Sequence, residues 1–240
     1  MTNLLLRKLE AFGPLPEDDR RFLDALISRP RQVPADSDLI MEGSAPQVVN
    51  VILEGFACRY KLLPDGRRQI VAFLVPGDFC DLHVFVLKTM DHSIGTLSPT
   101  TLVEIPRARV IEMTERPALA RALWWATLVD EATLREWLLN IGQRDAETRI
   151  GHLLCELHAR LQVVGLANGG RFAFPITQAE IGDALGISAI HVNRSLQVLR
   201  GEGLITLRHR EVVLEDPARL RRFSSFNPNY LHLTGGKQGS

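Results

Sequence analysis

The sequence predicts an α+β chain with a β-rich first half, a long central helix, and a C-terminal helix pair closed by a two-stranded hairpin. Three observations support that class. Between residues 31 and 106, short runs of strand-forming residues alternate with turn signals, the pattern of an antiparallel sandwich or barrel. From 107 to 142, apolar residues recur at helical spacing. From Thr177 to Arg200, a cap, a turn glycine, a second cap and a spaced apolar face follow one another.

Residues 1–30 read as short helices. Leu4, Leu5, Leu9 and Phe12 keep helical spacing until Pro14 and Pro16 interrupt it, and Phe22, Leu23, Leu26 and Ile27 resume it. The strand runs include Val48–Leu53, Cys58–Leu63, Gln69–Leu74, His92–Leu97 and Thr101–Ile105. Pro64-Asp65-Gly66 lies between two of them and marks a hairpin, because Gly tolerates the positive φ the turn needs. In the long helix Pro117 sits near the start. Leu119, Leu123, Leu134, Leu138 and Ile141 then recur, with Trp124, Trp125 and Trp137 close by. That stripe has two readings, packing against the β domain or a two-fold coiled-coil seam, and both hold if they use different faces. Residues 143–163 continue as helix, with Ile150, Leu153, Leu154, Leu157 and Leu161 on one face. Gly165, Asn168, Gly169 and Gly170 read as a loop, Leu204–Leu214 as a hairpin, and Gly235–Ser240 as a disordered tail.

The chain has 240 residues, enough for one large domain or two small ones. Its 45% hydrophobic and 23% charged residues are ordinary for a globular core. Formal net charge is zero, so a nucleic-acid binder must concentrate its basic residues locally. Cys58, Cys80 and Cys155 are odd in number and widely spaced, which argues against a disulfide framework and for a reducing cytoplasm. The apolar run in MTNLLLRKLE is too short for a signal peptide, and no stretch nears the roughly 20 apolar residues that span a membrane. No GxSxG, P-loop, HExxH or paired metal-ligand motif occurs, so the chain reads as a non-enzyme without a metal site.

Thr177-Gln178-Ala179-Glu180 has the capping-box form. Ile181, Ala184 and Leu185 supply a buried face, Gly186 the sharp turn, Ile187 its plug, and Ser188 a second cap. Val192, Leu196 and Leu199 at i, i+4, i+7 turn one side of the second helix inward. Its outward side then carries Ala189, Ile190, Asn193, Arg194 and Gln197, with His191 at the edge. Such a face fits a major groove, where Arg pairs with guanine, Asn or Gln with adenine, and Ala or Ile with a thymine methyl. A solvated edge explains His191 equally well. Thr177, Gln178 and Arg200 are placed for phosphates, and Arg208, His209 and Arg210 form a basic tip on the hairpin. From Thr177 to Arg222 seven arginines face six acidic residues, a local charge of only +1, so affinity needs two copies or a focused patch.

The stretch ITQAEIGDALGISAIHVNRSLQVLRGEGLI resembles the winged helix-turn-helix of the Crp/Fnr family of bacterial regulators. VVNVILEGFACRYKLLPDGRRQIVAFLVPGDF is similar to that family's β-roll strands, and NIGQRDAETRIGHLLCEL to the junction after its dimer helix. The resemblance implies an N-terminal antiparallel β-roll (jelly-roll-like), a long dimerisation helix and a C-terminal winged helix-turn-helix. It implies a sensor domain over 1–115, a dimer helix over 116–144, a DNA-binding domain over 145–225 and a tail over 226–240. It also implies a homodimer on palindromic double-stranded DNA, an effector at the β-roll, and RNA polymerase as a further partner.

Departures limit the transfer. Cyclic-AMP-binding members have Gly-Glu-Leu after the PGDF turn and an Arg-Ser pair further on. Here Cys80-Asp81-Leu82-His83 and Asp91-His92-Ser93 stand there, and Leu134 with Arg135 occupies the helix positions that would contact adenine. His92 cannot make an Arg-type fork, which argues against a cyclic nucleotide. Cys80, Asp81, His83, His92, Ser93 and Leu134 are therefore candidate effector-pocket residues of unassigned chemistry. A single-chain four-cysteine iron–sulfur cluster is excluded by the cysteine count. Haem-containing members place Cys and His ligands near Cys80 and His83, but a buried Cys and a hydrogen-bonded His account for these residues too, so no cofactor is predicted. A ligand-sensing module, of cyclic-nucleotide or haem/redox type, is the alternative to a DNA reader. At the second exposed position of the recognition helix, where many members carry Glu, this chain has Ile190.

Overall fold

A computed structural model describes residues 3–82 and 86–233; the tail Gly235–Ser240 and His83 lie outside them. Two compact units divide the chain, one holding residues through Lys61 and Ala72–Glu131, the other Leu62–Val71 and Ala132–Leu231.

The first unit opens with α1 (Leu4–Glu10), capped by Asn3 through the Leu6 amide, and α2 (Glu17–Leu26), whose first turn holds Glu17, Asp18 and Asp19 at the positive end of the helix dipole. Seven strands follow: β1 (Arg31–Val33), β2 (Asp38–Ile40), β3 (Val48–Glu54), β4 (Ala57–Leu62), β5 (Arg68–Leu74), β6 (Ser93–Thr96) and β7 (Thr100–Pro106). They form two antiparallel sheets, ordered β1-β7-β3 and β2-β6-β4-β5. β3 and β7 stay in register from Val48↔Pro106 to Ile52↔Leu102 and slip at a bulge before Glu54↔Thr101. Val49, Val51, Ile94, Leu102 and Ile105 are fully buried in one apolar cluster with Leu5, Leu9 and Leu23 of the leading helices. β1 and β2, three residues each, carry too little alternation to be read from sequence.

The helical stretches expected over 107–142 and 143–163 resolve into three helices with two breaks. α3 (Arg107–Thr114) ends at Glu115, and α4 (Pro117–Gln143) begins on Pro117, where a missing N–H costs nothing. The second break is at Arg144-Asp145, because the Asp145 carboxylate takes the Thr148 amide and caps a new helix, α5 (Ala146–Val163). The apolar stripe of α4 also divides. Leu119, Ala122 and Leu123 belong to the core of the first unit, and Trp125 lies against Phe12 with 6.1 Å between ring centres. Trp124 and Leu138 are 77% and 75% exposed, and Leu128 and Leu134 are exposed as well. One part of the helix packs; another presents an apolar row to solvent.

In the second unit α5 is buried on every side: all residues from Ile150 to Ala159, and Leu161, are covered, not one face alone. It packs beside a winged pair of helices, α6 (Gln178–Leu185) and α7 (Ala189–Gly201), and α8 (Pro217–Phe223). The expected loop at 165–170 contains β8 (Ala167–Asn168), which turns through Gly169 and Gly170 into β9 (Arg171–Ala173). These strands extend the hairpin of β10 (Ile205–Arg208) and β11 (Glu211–Leu214) into a sheet ordered β10-β11-β9-β8. Strands of two and three residues leave no periodicity to read. A terminal 3-10 helix, Pro228–Leu231, buries Tyr230 and Leu231. Leu62–Val71 belongs to this unit too: Arg68 Nε donates to Asp183 at 2.8 Å and Gln69 to the Ala184 carbonyl at 3.2 Å.

His152 lies inside this unit, stacked on Tyr230 at 6.0 Å and edge-on to Phe226 at 5.0 Å. Burial, with the Arg144 charge adding to it, holds its pKa at about 3. The unfolded chain takes up this proton near pH 6.5 and the folded one does not. The stabilisation is therefore full above about 6.5 and is lost as pH falls toward 3. Calorimetry of the second unit should show a drop in melting temperature over that range, and His152→Leu should flatten it.

Candidate nucleic-acid interface

α6 starts from a complete capping box. The Glu180 amide donates to Thr177 Oγ1 at 3.2 Å, and the Thr177 amide donates back to the Glu180 carboxylate at 2.6 Å. The helix ends on Gly186 at φ +67°, the left-handed region a Cβ would strain. The tighter constraint is Gly182, where a Cβ would stand 2.5 Å from the Ile187 carbonyl oxygen. Sequence reading singled out Gly186 and missed Gly182, because an interior helical glycine carries no local turn signal.

α7 starts from Ser188, whose Oγ accepts the His191 amide at 3.3 Å. Val192, Leu196 and Leu199 are buried as their spacing predicts. Two polar links that the spacing does not reveal fix the pair to α5: Ser195 donates to Glu147 at 2.8 Å, and Arg149 Nη1 donates to the Leu185 carbonyl at 3.1 Å. The second bond satisfies a carbonyl at the C-terminal end of α6.

With that face fixed inward, Ala189, Ile190, His191, Asn193, Arg194, Gln197 and Arg200 are all exposed on the other side, as are Thr177, Gln178 and Ser188. Ile190 is 67% exposed, a large apolar side chain left to water in the first turn of the helix. The wing presents Arg208, His209 and Arg210. His209 and Arg210 both have positive φ (51° and 62°), the backbone of a two-residue type I′ hairpin, here built without glycine. The Phe174 amide donates to the Arg210 carbonyl at 2.7 Å and ties this tip down. Arg171 pairs with Glu211 and Arg219 with Glu202, both at 3.3 Å, so part of the local positive charge is neutralised within the unit.

The candidate effector residues fall differently. Cys80, Asp81, His92 and Ser93 are buried in the first unit. Leu134 is exposed on the part of α4 that belongs to the second unit, and His83 lies outside the described residues. Asp81 Oδ1 accepts the Asn50 amide at 2.9 Å, Ser93 Oγ accepts the Glu42 amide at 2.9 Å, and His92 Nδ1 is 2.7 Å from Asp91. The residue that organises this cluster is one sequence reading missed, Arg59 on β4. It donates to the Cys80 carbonyl at 2.9 Å, the Phe79 carbonyl at 3.1 Å and the Asp130 carboxylate at 3.0 Å. The available signal was a charge flanked by Cys58 and Tyr60 in the buried first half of the strand. Burial pushes the Asp81 carboxyl up to about 7, opposed by the Asn50 amide and the Arg59 charge. Burial, then the Asp81 charge, raises the Cys80 thiol well above its usual range, and burial raises Cys155 to about 11. These two are protonated thiols, not the exposed thiolates of redox sensors.

Residues 148–223 match the family described as the Crp-like helix-turn-helix domain, and residues 30–116 match the cyclic nucleotide-binding domain. The chain is 31% identical over 175 residues to the nitrogen fixation regulation protein FixK of Bradyrhizobium diazoefficiens, covering 72% of this chain and 73% of that protein. It is 30% identical over 206 residues to the FixK of Azorhizobium caulinodans, covering 84% and 81%. It belongs to the Crp/Fnr family of bacterial transcription regulators. Among solved structures, that of FixK2 from Bradyrhizobium japonicum superposes with a TM-score of 0.73 at 28% identity, over 81% of this chain and 96% of that one. The Crp/Fnr assignment accounts for the β-roll, the long α4 and the winged helix pair with one architecture. It places α6 and α7 in a Crp-like helix-turn-helix domain.

Within the Crp/Fnr β-roll, the Asp81 cluster lies inside the stretch that matches the nucleotide-binding domain. Its chemistry does not fit a phosphodiester. The Arg59 guanidinium is engaged by two carbonyls and Asp130, and the Asp91 carboxylate beside His92 would repel the anion. Among the described residues no group of three metal-ligating side chains occurs, and no helix is long and apolar enough to cross a membrane. Because the pKa of Asp81 is raised on folding, its neutral form is the favoured one. Stabilisation is full below pH about 3.9 and is lost as pH rises through about 7. The stability gap between wild type and Asp81→Asn should therefore move in favour of the variant from pH 4 to 7, read as urea midpoints of the first unit. Parallel profiles would refute this.

Proposed function

We propose that the chain is a cytoplasmic homodimeric transcription regulator that reads a palindromic DNA site with α7 and steadies itself on phosphates through the wing. The observation that carries this reading is the fixed division of α7, with Val192, Leu196 and Leu199 buried and Ile190, Asn193, Arg194 and Gln197 all exposed. Arg194 pairs bidentately with guanine, and Asn193, Gln197 and Ile190 complete the base contacts. Thr177, Gln178, Arg200, Arg208 and Arg210 hold the backbone. Two copies supply the positive field that a local charge of +1 does not.

The dimer seam is the exposed row on α4, Trp124, Leu128, Leu134 and Leu138, within the helix 116–144. Exposed leucines and a tryptophan at near-heptad spacing are costly in water and are covered by a second copy of the same helix. Residues 1–115 form the sensor domain and 145–225 the DNA-binding domain, onto which the segment through Leu231 packs by burying Phe226, Tyr230 and Leu231. Control by an effector at the β-roll and contact with RNA polymerase extend the reading by analogy with relatives, one of which, from Rhizobium leguminosarum, is described as a probable transcriptional activator. The unsuited donor set around Asp81 argues that any such effector is not a cyclic nucleotide.

The test is selection of bound DNA from a random pool, followed by salt-dependent titrations. Arg194→Ala should weaken the selected site about 10- to 100-fold and leave non-specific binding nearly unchanged. Equal binding of both proteins to every sequence would sink the reading. Leu138→Glu should shift the sedimenting species toward monomer and weaken the full palindrome far more than a single half-site.

A further inference from the structure

The assignment of α7 as a DNA reader leaves the identity of its bases open, and the first turn of the helix carries more information than its sequence. We propose that His191 reads a purine through a hydrogen-bond donor at Nε2, that Ser188 holds the imidazole in the required tautomer, and that the preferred base is guanine. This rests on the DNA-reading function proposed above.

The geometry supports it in three steps. Ser188 Oγ accepts the His191 amide at 3.3 Å and lies 3.1 Å from His191 Nδ1. A hydroxyl has one proton. With one lone pair given to the amide, that proton is assigned to the contact with Nδ1, which then becomes the acceptor. The neutral ring then keeps its own proton on Nε2, the nitrogen on the far side of the ring from the cap. His191 is exposed in the first turn of α7, the part of a recognition helix that meets base edges.

The surrounding face has matching chemistry. His191 and Arg194 are three residues apart and share one side of the helix. Arg194 is donor-only. From Ala189 to Arg200 the exposed residues include no carboxylate, so the turn that carries His191 and Arg194 offers donors and lacks the acidic acceptor that would pair with a cytosine amino group. Guanine presents two acceptors, N7 and O6, in the major groove. Ile190, 67% exposed beside His191, supplies an apolar contact suited to a thymine methyl. The half-site expected from this turn pairs guanine readout by His191 and Arg194 with a neighbouring thymine.

Ser188→Gly is the informative variant. Glycine is tolerated at an N-cap at a cost of only a few tenths of a kcal/mol, so the helix survives while the hydroxyl is lost. The experiment has two arms. In the free protein, nitrogen-15 NMR of the imidazole should show the Nε2–H tautomer of His191, and Ser188→Gly should remove the bias; an Nδ1–H tautomer in wild type overturns the proposal. In DNA selections, His191→Ala should relax preference at one position of each half-site by about fivefold, the worth of one hydrogen bond. Ser188→Gly should relax the same position. Replacing guanine there by 7-deazaguanine should lower wild-type affinity and leave His191→Ala unaffected. If wild type selects a defined site and His191→Ala selects the same one with every position intact, His191 is not a reader and the proposal fails, while α7 remains a DNA reader. If wild type selects no site at all, the reading of function fails and takes this proposal with it.

Discussion

At the centre of the second unit a carboxylate with no exposed surface, Glu156, accepts the Trp137 indole N–H at 3.0 Å, the Tyr230 hydroxyl at 2.9 Å and Arg160 at 3.2 Å. Burial pushes its carboxyl pKa up, and Arg160 with the two hydrogen bonds works against that. Three elements close on this one group: the end of α4, the whole of α5, and the terminal 3-10 helix. Removing a partner would leave a buried charge uncompensated, a loss of about 3–5 kcal/mol. The position of α7 follows from it. α5 is covered on all sides, so it is a fixed support, and Glu147 and Arg149 on its first turn hold α7 and the end of α6.

The first unit has a comparable device with a different consequence. Arg59 gathers two backbone carbonyls and Asp130 of α4 around the segment that begins at Cys80. The same region lies in the stretch that matches the cyclic nucleotide-binding domain. Here the chain's own groups supply the interactions, with a guanidinium satisfied internally and a carboxyl driven toward neutrality. The fold is that of a nucleotide-binding domain, while among the described residues the groups around Asp81 do not fit a phosphate. Fold and function part company at the level of a few side chains.

Much of the architecture was legible in the sequence because it is written in local chemistry. The capping box at Thr177, the cap at Ser188 and the glycine turn each depend on neighbours within four residues, and each appears where expected. Strands of six or seven residues showed, while those of two or three did not. Helical periodicity by itself runs on from 107–142 into 143–163, because it survives across a break. Asp145 competes for the backbone amides and interrupts the helix without disturbing the apolar spacing. The exposed face of α7 was legible by subtraction, since a helix with three buried positions at i, i+4, i+7 has its other side determined.

By itself, then, the sequence determined the class of fold, the order of its parts and which face of α7 turns outward, all properties set by short-range spacing and capping. Tertiary structure decided what depends on groups far apart in the chain. Gly182 is constrained by the carbonyl of Ile187 across a turn, Arg59 finds Asp130 seventy-one residues away, and Glu156 finds Tyr230 seventy-four residues away. Such contacts leave no periodic trace, because burying a charge is tolerated only where the folded chain happens to bring its partners, and that meeting is a property of three dimensions.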